Sequence, residues 1–209
     1  MPSLNRLAAV WLIDARAISG AALDPARAWL GASEAARYQR FVRPRRQRQF
    51  LIGRILLRQA LGRLLGVPAA TLGLIECPGA APQLVLPDPT LAMPGFSLSH
   101  SGDWIACAVS ADTALGLDIE VIDAVRDIDA LAGQAFDAGQ VAYLSSLDGA
   151  VRRNTFYRMW SEQEARYKLG DCAAPSCIAL SHASLSVVLC SAQPLAAVPT
   201  LTCSDLTLC

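Results

Sequence analysis

Two nineteen-residue segments, Arg48 to Gly66 and Arg152 to Gly170, carry helical periodicity and end in Leu-Gly, and they restrict the fold of the 209-residue chain more than any other feature. In the first, Leu51, Ile55, Leu61 and Leu65 recur at helical spacing while Arg54 and Arg58 fall off that stripe, and Gly66 with Pro68 supplies the stop. In the second, Phe156, Trp160, Glu164 and Lys168 lie on one slowly drifting i, i+4 ridge with Met159 and Tyr167 beside it. Each helix is followed by strand-like sequence containing Leu-Ser-His, at 98–100 and 180–182. The offsets are 104 residues for the helices and 82 for the tripeptide, so this is no clean repeat. Helix followed by strands, twice, suggests an α+β protein of two similar halves, 1–112 and 113–209, each a helix packed on a small β-sheet.

The remaining pattern fills in that outline. Strands are expected at 5–18, 96–99, 104–110, 115–121 and 178–190, a short helix from a cap at Ser33, and one or two helices within 127–147. Five prolines (78, 82, 87, 89 and 94) make a turn-rich connector with at most one short strand, 83–86. With 53% hydrophobic residues and a mean hydropathy of +0.34 the chain has material for a sizeable core. No stretch approaches the roughly 18 unbroken apolar residues of a membrane helix, which predicts a soluble protein with no membrane partner. Asp14 and Arg16 end the apolar run at 7–13, which reads as a strand and not as a signal peptide. Seven cysteines (77, 107, 172, 177, 190, 203 and 209), without a C-x-x-C pair or a histidine at ligand spacing, indicate neither a disulfide framework nor a zinc site, and a reducing, cytoplasmic setting is expected.

Charge balances in total, 18 basic residues against 18 acidic, but not in place. Residues 37–63 hold nine arginines and no acid, whereas 103–129 hold seven acids and one arginine, Arg126. A basic run is ordinarily a solvated helix face or a nonspecific nucleic-acid patch. Arginine outnumbers lysine seventeen to one, which suits bidentate phosphate contacts, and the block lacks interleaved aromatics for stacking bases. A compact phosphate ligand is favoured over nucleic acid.

Chemistry could sit in three places. In 115–121 the alternation turns Leu117, Ile119 and Val121 to one side and Asp118 and Glu120 to the other, two carboxylates about 7 Å apart. They are either solvated edge charges or hard ligands for Mg²⁺ or Mn²⁺, and Gly116 permits close approach of another backbone. Glu164 and Lys168 are either a helix-stabilising pair or a general base with a phosphate-neutralising ammonium, and Lys168 is the chain's sole lysine. His100, in Ser99-His100-Ser101, lacks a nucleophile elbow around it, so phosphate contact by hydroxyl and imidazole is preferred to serine-hydrolase chemistry. There is neither a Walker A motif nor G-x-G-x-x-G.

Taken in order, Arg48-Gln-Phe-Leu-Ile-Gly-Arg-Ile-Leu-Leu-Arg58, Phe96-Ser-Leu-Ser-His-Ser-Gly-Asp-Trp104, Gly116-Leu-Asp-Ile-Glu120 and the 156–168 segment with Trp160-Ser-Glu-Gln-Glu164 resemble the 4′-phosphopantetheinyl transferases of the Sfp type. The resemblance implies the pseudo-dimer fold, a monomer, and Mg²⁺-dependent transfer of 4′-phosphopantetheine from coenzyme A to a serine of an apo acyl or peptidyl carrier protein. Adenosine 3′,5′-bisphosphate would be released. It further implies Asp118, Glu120 and Glu164 as metal ligands, Lys168 at the pyrophosphate, and Ser99 and His100 as coenzyme A phosphate contacts. Glu164, directly or through a water, is then the candidate base, and Arg45 and Arg48 the candidates for the 3′-phosphate by their distance before Gly53.

Two positions depart from that pattern. Gln163 stands where the family has a lysine before the helix glutamate, and Gly79-Ala-Ala-Pro82 lacks the lysine of a Gly-Lys-Pro-like turn. They motivate an alternative, a catalytically silent paralogue that binds coenzyme A or a carrier protein; retention of Asp118, Glu120, Glu164 and Lys168 favours the enzyme. An RNA-binding reading would need more aromatics than Tyr38, Phe41 and Phe50 among the arginines.

Overall fold

A computed structural model describes residues 6–203. In chain order these form β1 (Ala9–Asp14), the one-turn helix α1 (Gly20–Leu23), α2 (Ala32–Arg40), α3 (Pro44–Leu65), β2 (Gly73–Ile75), β3 (Gln83–Val85), β4 (Gly95–Ser101), β5 (Trp104–Ser110), β6 (Leu115–Val121), α4 (Ile128–Ala135), α5 (Ala138–Ser145), α6 (Gly149–Leu169), β7 (Ser176–Leu180), β8 (Leu185–Ser191) and β9 (Leu201–Cys203). Helix α3 starts four residues before Arg48 because Pro44 takes the first helical position, and Gly66 stops it in the left-handed conformation at φ 68°. The strand expected at 5–18 is shorter: the Asp14 carboxylate accepts the Arg16 N–H and turns residues 15–17 into a single 3₁₀ turn. Residue 5 lies outside the described residues. The strand expected at 178–190 is a hairpin, broken where His182 Nδ1 accepts the Ser184 N–H at 3.2 Å.

The strands form a four-stranded sheet ordered β4-β5-β1-β9, a three-stranded sheet ordered β6-β8-β7, and the separate β2–β3 hairpin. Four layers result. Helix α3 sets Leu51, Ile52 and Ile55 against Ile13, Ile105 and Val109 on one face of the first sheet. From the other face Val10, Leu12, Ala106 and Ala108 meet Leu117, Ile119, Val187 and Leu189 of the second sheet. Outside that sheet α6 packs Ala165 on Val188 and Cys190. Each fully buried Leu, Ile or Val is worth roughly 1.5–3 kcal/mol, so these stacked faces set the arrangement. Strand β9, from the second predicted half, adds in parallel to the edge of the first sheet beside β1.

The seam between the two sheets is made by side chains. Strand β4 turns Ser97, Ser99 and Ser101 toward the free edge of β6, where their hydroxyls accept the N–H groups of Leu117, Ile119 and Val121 at 2.9, 3.2 and 3.0 Å. Edge donors that would otherwise be unpaired are thereby satisfied. On its other side β6 approaches α6 so closely that a Cβ on Gly116 would stand 1.9 Å from the Ala165 carbonyl oxygen, which only glycine permits.

Helix α2 is pinned to α3 by charge. Glu34, fully buried, accepts both Arg58 Nη1 and Nη2 at 2.9 and 2.5 Å, and its Oε2 accepts the Gly31 N–H at 2.9 Å. Arg54 continues the chain of charges to Glu76, which Arg37 also engages.

Cysteine usage differs from expectation. Cys177 and Cys190 are directly opposite in the β7–β8 register and are disulfide-bonded, so one bridge exists where the odd count indicated none. That bridge does not match the reducing setting read from the sequence; the pairing is a product of hairpin register, which spacing alone does not disclose. Cys209 lies outside the described residues. Among the described residues no helix is long and apolar enough to cross a membrane.

Candidate active site

The seam carries the site. Lys168, in the last turn of α6, reaches across to β6 and donates through Nζ to Asp118 Oδ1 at 2.7 Å, to Ser99 Oγ at 3.0 Å and to the Leu117 carbonyl at 3.1 Å. All three ammonium hydrogens are used. Ser99 Oγ in turn donates to Asp118 Oδ1 at 3.0 Å, so one hydroxyl joins the lysine, the carboxylate and the β6 backbone. Ser101 Oγ likewise donates to Glu120 Oε2 at 2.7 Å.

Two observations leave this acidic pair unfinished. Asp118 Oδ2 is buried and has no partner, an expensive state for a carboxylate oxygen. Burial holds the Glu120 carboxyl above its ordinary pKa and the neighbouring Asp118 charge adds to that, with the Ser101 hydrogen bond opposing. A divalent cation would relieve both, and two hard oxygen donors with water completing the shell suit Mg²⁺. The residues therefore fit a two-carboxylate cation site. Among the described residues no three His, Cys, Asp or Glu side chains converge to hold a metal, so Glu164, half-buried one turn before Lys168, is not gathered with the pair.

Beside this cluster a cleft of about 500 Å³ opens between α3 and β4, with Arg37, Arg46, Arg54 and Lys168 as cations and Phe50, Phe96 and Leu98 as apolar floor. The Arg54 guanidinium stacks 4.6 Å from the Phe50 ring centroid. His100 stands at the mouth, with Arg46 Nη1 2.8 Å from its Nε2. Arg46 is itself held by Gln49 Oε1 at 2.9 Å, and Gln49 Nε2 donates to the Gly102 carbonyl at 2.6 Å, in a turn whose φ of 58° suits glycine. Loss of hydration, aided by the charges of Arg46 and Lys168, lowers the His100 pKa to about 4. The imidazole is therefore neutral at pH 7 and accepts from Arg46.

The structure thus brings Asp118, Glu120, Ser99 and Lys168 together and sets His100 beside them. Arg45 and Arg48 go elsewhere: Arg45 Nε pairs with Asp103 at 2.8 Å, Arg48 donates to the carbonyls of Ala15 and Ile18, and both line a separate hollow. Helix phase explains this. Since α3 begins at Pro44, successive residues turn by about 100°, and Arg46 and Arg48 face opposite ways. The cleft instead receives Arg46, Gln49, Phe50, Gly53 and Arg54, an i, i+3, i+4, i+7, i+8 ridge that includes Arg46 only because the helix extends back to Pro44. Of the departing positions, Ala81 lines the cleft and Gln163 is exposed on α6.

Fold and site together define an α+β protein whose acid–lysine cluster lies on the seam between two sheets, at the edge of a cationic cleft. Residues 19–112 match the family described as 4′-phosphopantetheinyl transferase, N-terminal, and residues 114–197 the 4′-phosphopantetheinyl transferase superfamily. The chain is 34% identical over 155 residues to the 4′-phosphopantetheinyl transferase AcpT of Escherichia coli, covering 73% of each chain. It is 33% identical over 148 residues to HetI of Nostoc, covering 70% of this chain and 61% of HetI, and 33% identical over 123 residues to psf-1 of Bacillus pumilus, covering 58% and 49%. The chain belongs to the 4′-phosphopantetheinyl transferase superfamily. It spans about three fifths of the length of the cyanobacterial relatives, 57% of a Synechocystis protein and 61% of HetI.

Proposed function

We propose that this protein is a Mg²⁺-dependent enzyme, with Mn²⁺ as a possible substitute, that moves 4′-phosphopantetheine from coenzyme A to a serine of an apo acyl or peptidyl carrier protein and releases adenosine 3′,5′-bisphosphate. The observation that carries this reading is the buried, unpartnered Asp118 Oδ2 beside Glu120, joined through Lys168 and Ser99 to the arginine-walled cleft that those two residues line. In this reading the two halves, 1–112 and 113–209, are a pseudo-dimer within a monomer and share one site at their junction.

Asp118 and Glu120 would hold the cation, with Glu164 reaching it when substrate is bound; the cation supplies charge neutralisation at the pyrophosphate. The chain's own residues do the rest. Arg46 and the neutral His100 take phosphate oxygens at the cleft mouth, and Arg37 and Arg54 make the wall cationic. Lys168, held at the cleft edge by three hydrogen bonds, presents its charge to the pyrophosphate and would exchange one of those bonds to donate to it. The carrier serine oxygen forms a bond to the phosphorus bearing the pantetheine arm, the pyrophosphate P–O bond breaks, and Glu164 takes the serine proton.

The experiment is incubation with coenzyme A, Mg²⁺ and a panel of apo carrier proteins, followed by mass spectrometry. A carrier gaining the mass of phosphopantetheine is expected. Coenzyme A binding without modification of any carrier would overturn the reading in favour of a silent paralogue.

A further inference from the structure

Ser161 is fully buried on α6, yet its hydroxyl has no hydrogen-bond partner. The usual outlet for a helical serine is the carbonyl four residues back, but the Tyr157 carbonyl already accepts the Ser186 hydroxyl at 3.1 Å. A second buried group without a partner is Asp118 Oδ2, and it lies on the element facing Ser161. Two contacts fix how those elements face each other. Gly116 abuts Ala165, and past the end of β6 the Asp123 N–H donates to the Tyr157 hydroxyl at 3.1 Å, so strand and helix run antiparallel. Two strand residues on from Gly116 are about 6.6 Å, or about four helix residues back from Ala165, which brings Asp118 to the turn that contains Ser161. Helical phase agrees, since Ser161, Ala165 and Lys168 are spaced i, i+4, i+7, and both later members touch β6.

We infer that Ser161 is a positioning residue for the divalent cation of this site: its hydroxyl, through one ordered water, fixes Asp118 Oδ2 so that the oxygen is presented to the cation. The inference rests on the cation reading given above. A hydroxyl and a carboxylate oxygen, both buried, unpaired and out of direct hydrogen-bonding reach of each other, supply the polar partners a bridging water requires. Hydrogen-bond networks that orient a metal's ligands commonly change affinity by about 10–100-fold.

The test is Mn²⁺ binding to the purified full chain, followed by the electron paramagnetic resonance signal of free Mn²⁺, for wild type, Ser161→Ala and Ser161→Cys. The melting temperature of each metal-free variant is measured alongside, so a loss of affinity in a folded variant is not a loss of fold. Binding weakened by about tenfold or more in Ser161→Ala is expected. Ser161→Cys, close in size but a weak donor, is expected to weaken binding in the same direction and serves if the alanine variant does not fold. Binding within twofold of wild type in either folded variant overturns the inference alone. Absence of Mn²⁺ binding by wild type overturns the cation reading and this inference with it, while the carrier-modification experiment tests group transfer separately.

Discussion

Replacing Gly116 by alanine asks α6 to give way for a single methyl group. The added Cβ would stand 1.9 Å from the Ala165 carbonyl oxygen and 2.7 Å from the Leu169 nitrogen, whereas real Cβ contacts essentially never fall under 3.0 Å. Both obstacles are backbone, so no rotamer change relieves them, and the gap between strand and helix must open by about 1.1 Å at the Ala165 oxygen. Overpacking of this kind costs about 1–3 kcal/mol, which for a chain of this length lowers the melting temperature by roughly 2–12 °C. The displaced turn also carries Lys168, whose 2.7 Å bond to Asp118 would lengthen toward 3.8 Å, beyond hydrogen-bonding range, unless the side chain re-extends. The expected result of thermal and urea unfolding is a clear loss for Gly116→Ala with a parallel fall in transfer rate. A matched control is Gly133→Ala: Gly133 lies within α4 with no atom near its missing Cβ, so the change should stabilise by about 0.5–1 kcal/mol. Equal stability of wild type and Gly116→Ala would refute the packing argument, because no other account of a glycine there survives a tolerated methyl.

Glu34→Gln leaves the buried Arg58 guanidinium without its counter-charge, and urea denaturation should show a loss of about 3–5 kcal/mol, while coenzyme A affinity per folded molecule stays near wild type. Lys168→Met should lower the transfer rate by about 100-fold with the fold retained, read by single-turnover modification of a carrier. His100 should stay neutral down to about pH 5 in an NMR titration, since its pKa is held at about 4 against an ordinary 6.5. The unfolded chain then binds the proton first, so this residue's contribution to stability is present above about pH 6.5 and is lost as pH falls toward 4; His100→Gln should flatten that dependence. Mg²⁺ should raise the melting temperature of wild type but not that of Asp118→Asn, and an equal rise in both would remove Asp118 from the cation site.

How far the sequence disclosed this molecule depends on the kind of information each feature needs. Asp118 and Glu120 were legible because strand alternation is a local rule, and the structure keeps Leu117 and Ile119 in the core while their acidic neighbours face α6. The long helices were legible for the same reason. Sequence alone does not separate Arg46 from Arg45 and Arg48, because only a helix that extends back to Pro44 places Arg46 in phase with Gln49, Phe50 and Gly53 on the cleft face. The hydroxyls of Ser97 and Ser101 escaped notice since their partners are N–H groups twenty residues away on a strand of another sheet. The Cys177–Cys190 bridge likewise depends on register across a hairpin that was read as one continuous strand. Three-residue strands such as β2 and β9 carry too little pattern to be seen before their partners are known.

The serine seam has a consequence for how the molecule could sense its own closure. Ser99 and Ser101 each use one oxygen both to accept a β6 N–H and to donate to a carboxylate. Parting the sheets would therefore strip Asp118 and Glu120 of those donors at the moment it freed the strand edge. If Asp118 and Glu120 hold the proposed cation, its affinity would gauge whether the sheets are docked, and its binding would resist their separation.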